Sequence, residues 1–271
     1  MSQQNFVSVS GISNLEQLEA IEQIKKEEEL DFPIAIGFQV SHKSINQGTA
    51  NPRQPKFVDL PELIHYTSHF GFIPAVHYYA KDNMTIHNDL ELLLSQCGQF
   101  DKDPVLLQFN TLPPSEETLM MTREMGFKVI FKVPVSNKSS PTGGFAVWKG
   151  SKVQDANTGD VSVLVNQLQT YVDLIDYAMF DPSHGTNYGL NLKEGSLAIR
   201  FGEEVVRKPE LNHLQLLYSG GINPGNVRSL VETLSGYFPD RFSIDIESGV
   251  RKDDKLDLSL VREYLINSNF N

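Results

Sequence analysis

The clearest indication of the fold is the segment Leu216-Leu-Tyr-Ser-Gly-Gly-Ile-Asn-Pro-Gly-Asn-Val227. Its apolar start predicts a strand, Gly220 and Gly221 predict a tight turn, and Asn223-Pro224 predicts the start of a helix. Glycines let a ligand approach the main chain closely, and the free N–H groups at a helix N-terminus favour an anion. The turn is therefore either an ordinary strand-to-helix connection or a phosphate-binding site.

A second stretch of the same kind follows at Phe242-Ser-Ile-Asp-Ile-Glu-Ser-Gly-Val250. Here too an apolar strand ends in a turn of small residues, Ser248 and Gly249. Two neighbouring strands that end in this way are typical of the phosphate site of a (β/α)8 barrel, which is built from the loops after strands 7 and 8. We therefore predict that a phosphate group binds to Gly220, Gly221, Ser248 and Gly249.

Apolar runs and helical patterns alternate along the rest of the chain. Strands separated by helical segments indicate parallel pairing, and eight of them within 271 residues favour a closed barrel over an open sheet. We expect an α/β protein, a single (β/α)8 TIM barrel that spans residues 1–271 as one domain. The six strands before the opening stretch are predicted at Phe6–Ser10, Pro33–Val40, Ile73–Tyr79, Val105–Phe109, Lys128–Val133 and Tyr177–Phe180.

One segment does not fit this alternation. Residues 134–160, directly after the fifth strand, are rich in Gly, Ser, Asn and Lys and include the only tryptophan, Trp148. A loop of this length in a compact domain is usually functional or mobile. The segment is either a lid over the barrel mouth, with Phe145–Trp148 as one strand of a small hairpin, or a surface excursion.

The charge and the composition exclude several classes of function. The net charge is -11, and Lys and Arg form no run, which argues against non-specific binding to nucleic acid or to an anionic membrane. No apolar run approaches the roughly 18 residues of a membrane span, and the start of the chain is too polar for a signal peptide. The single cysteine, Cys97, excludes an intrachain disulfide, and we expect a cytoplasmic protein. No metal site is predicted, because His65 and His69 have no acidic residue between them in a His-Glu-x-x-His arrangement.

Polar residues at the ends of the predicted strands are the candidates for chemistry, because ligands of such a barrel meet the C-terminal ends of its strands. Asp181 follows the sixth strand, and its carboxyl group either lies in the pocket or caps the turn. Lys132, on the fifth strand, is either a cation for the substrate or holds a carboxylate at the barrel rim. His77, on the third strand, is either an acid or base or a hydrogen-bonded filler.

These residues, in this order, resemble the phosphoribosylanthranilate isomerases of tryptophan biosynthesis. The two specific motifs of that family are Gly-Gly-Leu-x-Pro-x-Asn-Val, which is similar to Gly220–Val227, and Asp-Val-Ser-Ser-Gly-Val-Glu, which is similar to Asp245–Arg251. The resemblance covers the whole chain. Weaker matches are found at Val7–Ser13, at Gly37–Val40 followed by Lys43-Ser44 and, after an insertion, Pro52-Arg53, and at Asp181 with Gly185-Thr186.

The resemblance implies an Amadori rearrangement of an N-(5-phosphoribosyl) aromatic amine, which needs no cofactor. A general acid protonates the ring oxygen to open the sugar, a base removes the C2 proton, and the enol collapses to a ketone. By resemblance Asp181 is the acid, Arg53 and Asp245 contact the substrate, and the four residues of the two turns hold the phosphate. We count Lys132 and His77 as further substrate-binding candidates from their places on the strands. The expected partner is a small phosphorylated sugar, and no oligomeric state is predicted.

Two departures from the family concern its base. The cysteine that serves as the base on strand one is replaced by Ser10, and a Ser-Ser pair on strand eight becomes Glu247-Ser248. Strands eight and one are neighbours in a closed barrel, so the two changes adjoin. Either Glu247 is the base, with its pKa raised by desolvation and Ser10 as its hydrogen-bond partner, or Glu247 points outward to a lysine or arginine and the activity is lost.

Three functions stay open at the level of the sequence. The chain is a divergent isomerase of that substrate or a close analogue, or another phosphosugar enzyme, namely an aldolase, epimerase or lyase, or a non-catalytic phosphometabolite-binding protein. In the second case Lys132 is the residue to test, since a lysine can form a Schiff base with a carbonyl substrate.

Overall fold

The structure is a computed structural model, and it describes residues 5–48, 51–79, 83–97, 104–110, 114–139, 145–149, 152–155, 160–183 and 189–269. The strands among these residues are β1 (Val7–Ser10), β2 (Ile34–Ser41), β3 (Ile73–Tyr79), β4 (Leu106–Phe109), β5 (Lys128–Lys132), β6 (Val135–Ser139), β7 (Phe145–Lys149), β8 (Lys152–Asp155), β9 (Tyr177–Phe180), β10 (Gln215–Ser219), β11 (Phe242–Ile246), β12 (Arg251–Lys252) and β13 (Lys255–Leu256).

A closed barrel of parallel strands is the centre of the fold. Its strand order is β1-β11-β10-β9-β5-β4-β3-β2, so the last barrel strand closes onto the first. The predicted (β/α)8 barrel is therefore confirmed. The strands that end in the two glycine-containing turns, β10 and β11, are neighbours in the barrel, as the phosphate-site prediction requires.

The helices pack around the outside of this barrel. They are α1 (Leu15–Glu27), α2 (His42–Gln47), α3 (Leu60–His69), α4 (Asn83–Cys97), α5 (Glu116–Glu124), α6 (Ser162–Thr170), α7 (Leu197–Arg207), α8 (Val227–Tyr237) and α9 (Leu258–Asn267). None of the helices within the described ranges is long and apolar enough to cross a membrane. The short helix α2 is not anticipated by the apolar pattern, since it is defined by a capping box in which the main-chain N–H of Ser41 donates to Ser44 Oγ at 2.8 Å and that of Ser44 donates to Ser41 Oγ at 3.2 Å.

The interior of the barrel has an apolar end and a polar end. Phe6, Ala35, Ala75, Leu106, Ile130, Tyr177, Met179 and Leu217 form the apolar cluster inside the barrel. Side chains alternate along a strand, so the residue two positions further on faces the interior as well. Two positions beyond Ala75, Leu106, Ile130 and Leu217 stand His77, Gln108, Lys132 and Ser219, which places polar side chains at the carboxyl end of the barrel.

The predicted excursion after the fifth strand contains a small sheet. Strands β6, β7 and β8 pair antiparallel in that order, and β7 includes the predicted Phe145–Trp148 strand. Residues 140–144, 150–151 and 156–159 of this segment lie outside the described residues. The lid function stays a prediction, which proteolysis of this segment with and without ligand would test. The assignment of the chain to one domain also stays a prediction.

Candidate active site

A cavity of about 220 Å³ opens among the turns at the carboxyl end of the barrel. This volume lies below the roughly 300–1,000 Å³ of sites for drug-sized ligands, so the cavity suits a small sugar phosphate better than a dinucleotide. Ser10, Arg53 and Gly249 are not part of its lining but contact residues that are. The sequence-predicted residues that line the cavity are His77, Lys132, Asp181, Gly220, Gly221, Asp245, Glu247 and Ser248.

The turn after β10 is held through its carbonyl groups, and two of its N–H groups lie on the opposite side of their peptides. Gly220 and Gly221 have φ angles of 106° and 64°, in the left-handed region that favours glycine. The Leu190 N–H donates to the Gly220 carbonyl at 2.9 Å, and Asn226 Nδ2 donates to the Gly221 carbonyl at 2.9 Å. Because the N–H and C=O of a trans peptide point in opposite directions, the N–H groups of Gly221 and Ile222 point away from these two partners. Both residues line the cavity, which is the arrangement that the predicted anion site requires.

The turn after β11 packs directly against the turn after β10. A Cβ atom at Gly249 would lie 2.0 Å from the Ile222 carbonyl oxygen, so no other residue fits there without a shift of the backbone. This contact brings Ser248 to the cavity beside Gly221. Binding of a phosphate group between the two turns remains a prediction.

Lys132 and Asp181 form a buried ion pair in the cavity wall. Lys132 Nζ donates to Asp181 Oδ2 at 2.6 Å, and each side chain is 9% exposed. Ser183 donates to the other carboxylate oxygen, Oδ1, from its main-chain N–H at 2.9 Å and from its hydroxyl at 2.6 Å. Burial by itself would raise the pKa of Asp181, but the charge of Lys132 and the hydrogen bonds from Lys132 and Ser183 outweigh it, so the pKa is lowered. At neutral pH Asp181 is therefore a carboxylate.

Ser10 and Asp245 form a second buried pair. The Ser10 hydroxyl donates to Asp245 Oδ1 at 2.6 Å, from β1 to the neighbouring strand β11. Burial raises the pKa of the Asp245 carboxyl group, while His77 and the hydrogen bond from Ser10 act in the opposite direction. The predicted neighbourhood of strands one and eight is confirmed, and the residue that Ser10 contacts is Asp245.

His77 approaches the same pair across β2. Gly37 on β2 is paired with Ser10 on β1 and with Ala75 on β3. A Cβ atom at Gly37 would lie 2.3 Å from Ser10 Oγ and 3.0 Å from His77 Nε2. Burial lowers the pKa of His77, so its imidazole is neutral at neutral pH.

Glu247 is bound by an arginine at the cavity edge. Arg53 Nη1 donates to Glu247 Oε1 at 2.7 Å, and Arg53 Nε donates to Asp254 Oδ1 at 2.6 Å. The loop that carries Arg53 therefore folds back over β11, and its charge compensates a carboxylate beside the proposed phosphate site. The contact agrees with the interpretation in which the Glu247 side chain points to an arginine, and not with the one in which Ser10 is its hydrogen-bond partner. Among the described contacts, Ser10 is joined to Asp245 and Glu247 to Arg53.

Two residues of the site were not singled out from the sequence. Ser183 binds Asp181, and the Asp-Pro-Ser order is a signal for it, since an aspartate often accepts the N–H two residues on. Tyr79 lines the cavity and stands two residues after His77, so strand alternation would have found it. Burial raises the pKa of Tyr79, so its hydroxyl stays protonated. The Gly185-Thr186 match lies outside the described residues.

No protein-family model matches the chain. A full-length relative is the N-(5'-phosphoribosyl)anthranilate isomerase of Methanococcus aeolicus. It is 21% identical over 268 residues, which cover 98% of this chain and 99% of the relative. The sequence similarity therefore extends over both proteins from end to end.

Two solved structures of similar proteins share the barrel. The N-(5'-phosphoribosyl)anthranilate isomerase of Pyrococcus furiosus has a TM-score of 0.55 at 20% identity, with 97% of this chain and 98% of that chain covered. A phosphoribosylanthranilate isomerase in complex with reduced 1-(o-carboxyphenylamino)-1-deoxyribulose 5-phosphate has a TM-score of 0.54 at 18% identity, with 98% of each chain covered. At these identities the structural likeness shows a shared fold. With the full-length sequence similarity, it confirms the resemblance to the phosphoribosylanthranilate isomerase family and is consistent with a divergent member of it.

Proposed function

We propose that this protein isomerises an N-(5-phosphoribosyl) aromatic amine, phosphoribosylanthranilate or a close analogue, to the corresponding 1-amino-1-deoxyketose 5-phosphate. The observation that carries the proposal is the composition of the cavity. The buried Lys132–Asp181 ion pair, the buried Asp245 carboxyl group and the two glycine-containing turns line one cavity of about 220 Å³. Strands β5 and β1 are separated by three strands in either direction around the barrel, so Lys132 and Ser10 belong to opposite sides of its mouth.

The turns after β10 and β11 give the substrate its anchor. The N–H groups of Gly221 and Ile222 and the Ser248 residue at the cavity would bind the 5-phosphate, as helix and turn N–H groups bind anions elsewhere. Glu247 stands next to this site, and its ion pair with Arg53 removes the repulsion that a free carboxylate would exert. The similar protein with a solved complex binds reduced 1-(o-carboxyphenylamino)-1-deoxyribulose 5-phosphate, a sugar phosphate that carries an aromatic amine, which supports this class of ligand.

The Lys132–Asp181 pair would open the sugar ring. The Lys132 ammonium gives its proton to the ring oxygen, the bond between C1 and that oxygen breaks, and the nitrogen lone pair forms the C1=N bond. Asp181, a carboxylate at neutral pH, holds the ammonium in place through the 2.6 Å contact. In this assignment Asp181 takes part in acid catalysis by orienting the proton donor, which refines the role that the resemblance implies for it.

The same contact weighs against a Schiff-base enzyme. A lysine forms an imine only as a free amine, and a buried carboxylate at 2.6 Å stabilises the ammonium form instead. An aldolase mechanism through Lys132 would have to break this ion pair before the first step. The isomerase uses the pair as it stands.

Steady-state turnover of N-(5'-phosphoribosyl)anthranilate by the purified chain tests the proposal. We expect saturable conversion, and a loss of kcat of about 100-fold or more in Lys132→Met and in Asp181→Asn. The matched control is Lys128→Met, because Lys128 stands at the opposite end of the same strand β5 and should leave kcat unchanged. Tight binding of the reduced product analogue without any turnover would indicate a binding protein. The absence of both binding and turnover would refute the proposed substrate class.

A further inference from the structure

We propose that His77 is the base that removes the C2 proton, at the place where the resembled family uses the cysteine of strand one. This inference rests on the proposed function, since it names the base of that reaction. The residue that matches the cysteine is Ser10, and His77 reaches it across Gly37.

Ser10 and Glu247 are both engaged in other contacts. The Ser10 hydroxyl donates its proton to Asp245 at 2.6 Å, and a serine hydroxyl is a weak base unless another group takes that proton. The Glu247 carboxylate accepts from Arg53 at 2.7 Å and belongs to the rim of the cavity. Ser10 therefore has no group that would make it a strong base, and the charge of Glu247 is already balanced by Arg53.

The missing side chain of Gly37 leaves the space in which His77 and Ser10 approach each other. Ser10 Oγ and His77 Nε2 lie 2.3 Å and 3.0 Å from one point, the position that a Cβ atom of residue 37 would occupy. The two atoms are therefore no further apart than the sum of these distances. The imidazole, which lines the cavity, therefore lies close to the position of the family's base, since both side chains pack beside a strand residue that has no side chain.

The surroundings of His77 suit a base. The side chain is buried and lines the cavity, and within the described part of the chain neither ring nitrogen has a hydrogen bond to protein. The charged groups that act on it are Asp245 and Glu247 from β11 and the turn after it, and Lys132 from β5. Burial and Lys132 lower the pKa of His77, while the two carboxylates limit this effect and would stabilise the imidazolium formed in the reaction.

The step balances with the groups that the cavity holds. His77 Nε2 takes the proton from C2, and the electron pair of that C–H bond forms the C1=C2 bond. The electron pair of the C1=N π bond returns to the nitrogen. The imidazolium then gives a proton to C1 while the C2 hydroxyl loses its own to Lys132, which had protonated the ring oxygen. The product is the ketone, and both protein groups return to their starting state.

The test compares His77→Gln with the exposed control His65→Gln on α3, in turnover of N-(5'-phosphoribosyl)anthranilate. We expect kcat to fall about 100-fold or more in His77→Gln and to stay unchanged in His65→Gln. The Kd of His77→Gln for reduced 1-(o-carboxyphenylamino)-1-deoxyribulose 5-phosphate should stay within about threefold of the wild-type value, since binding of that ligand needs no base. Adding Ser10→Cys to the His77→Gln variant should raise its kcat at least tenfold, because the change returns a thiolate to the position of the family's base.

The failures of the two proposals are distinguishable. An active wild type with unchanged kcat in His77→Gln would overturn the assignment of the base and leave the proposed function standing. No turnover by the wild type would overturn the proposed function and this assignment with it. If His77→Gln does not fold, His77→Asn replaces it, and ligand binding shows that the site is intact.

Discussion

Lys132, at the end of β5, and Asp181, directly after the neighbouring strand β9, bring opposite charges within 2.6 Å, with 9% of each side chain exposed. Removing one partner of a buried pair leaves an uncompensated charge, which costs about 3–5 kcal/mol. We therefore expect Lys132→Met to lower the free energy of unfolding by about 3 kcal/mol. The double variant Lys132→Met/Asp181→Asn should regain most of this loss, although it is inactive. Urea denaturation of the two single variants and the double variant measures the coupling, and a Lys132→Met effect below about 1 kcal/mol would show an exposed, weak pair instead.

The second prediction concerns the anion site at Gly221. Its φ angle of 64° lies in the left-handed region, which Asp and Asn tolerate alike, so the two variants Gly221→Asp and Gly221→Asn should share any backbone strain. They differ by one negative charge at the cavity. We expect phosphate affinity to fall at least tenfold more in Gly221→Asp than in Gly221→Asn, measured by the shift of Tm with phosphate concentration. Equal affinity in both variants would mean that the anion binds elsewhere.

The third prediction concerns the gap at Gly37. An alanine there would place its Cβ atom 2.3 Å from Ser10 Oγ and 3.0 Å from His77 Nε2. We expect Gly37→Ala to cost about 2 kcal/mol of unfolding free energy and to lower kcat, because both side chains must move. Gly236→Ala is the control, since nothing lies within 4 Å of its Cβ position in α8, and a helical glycine gains roughly 0.5–1 kcal/mol as alanine. A Gly37→Ala variant as stable as the wild type would contradict the packing described for this corner.

The fourth prediction is the pH dependence of the reaction. A base must be deprotonated, and burial lowers the pKa of His77 below its ordinary value of 6.5. The activity that depends on it is therefore present above that lowered pKa and lost as the pH falls through it. We expect log(kcat/KM) to be flat down to about pH 6.5 and to decrease below it. If log(kcat/KM) already decreases below a pH that lies above about 7, the titrating group is not His77.

Much of the fold was predictable from the sequence because a barrel repeats one local pattern. The eight apolar runs and the helices between them need only periodicity, and the structure confirms them from β1 to α9. Helix α2 was missed because it is short and polar, and its Ser41–Ser44 capping box does not appear as an apolar repeat. The sheet β6–β8 was only partly foreseen, since one strand of the three has a clear apolar pattern.

The site was predictable in its members and less so in its contacts. Strand ends gave His77, Lys132, Asp181 and Asp245, and the structure places all four around one cavity. Which carboxylate Ser10 would bind depends on strand register, where Asp245 and Glu247 differ by two positions on the same face. The approach of His77 to Ser10 depends on the missing side chain of Gly37, a contact across three strands that no local pattern encodes.

A crystal structure of this protein with reduced 1-(o-carboxyphenylamino)-1-deoxyribulose 5-phosphate tests the proposed site directly. We expect the phosphate to lie against the N–H groups of Gly221 and Ile222 and beside Ser248. We also expect the C1 and C2 atoms of the ligand to lie between Lys132 on β5 and His77 on β3, within about 3.5 Å of each. A phosphate bound outside the two turns, or a C2 atom that is out of reach of His77, would contradict the proposed site.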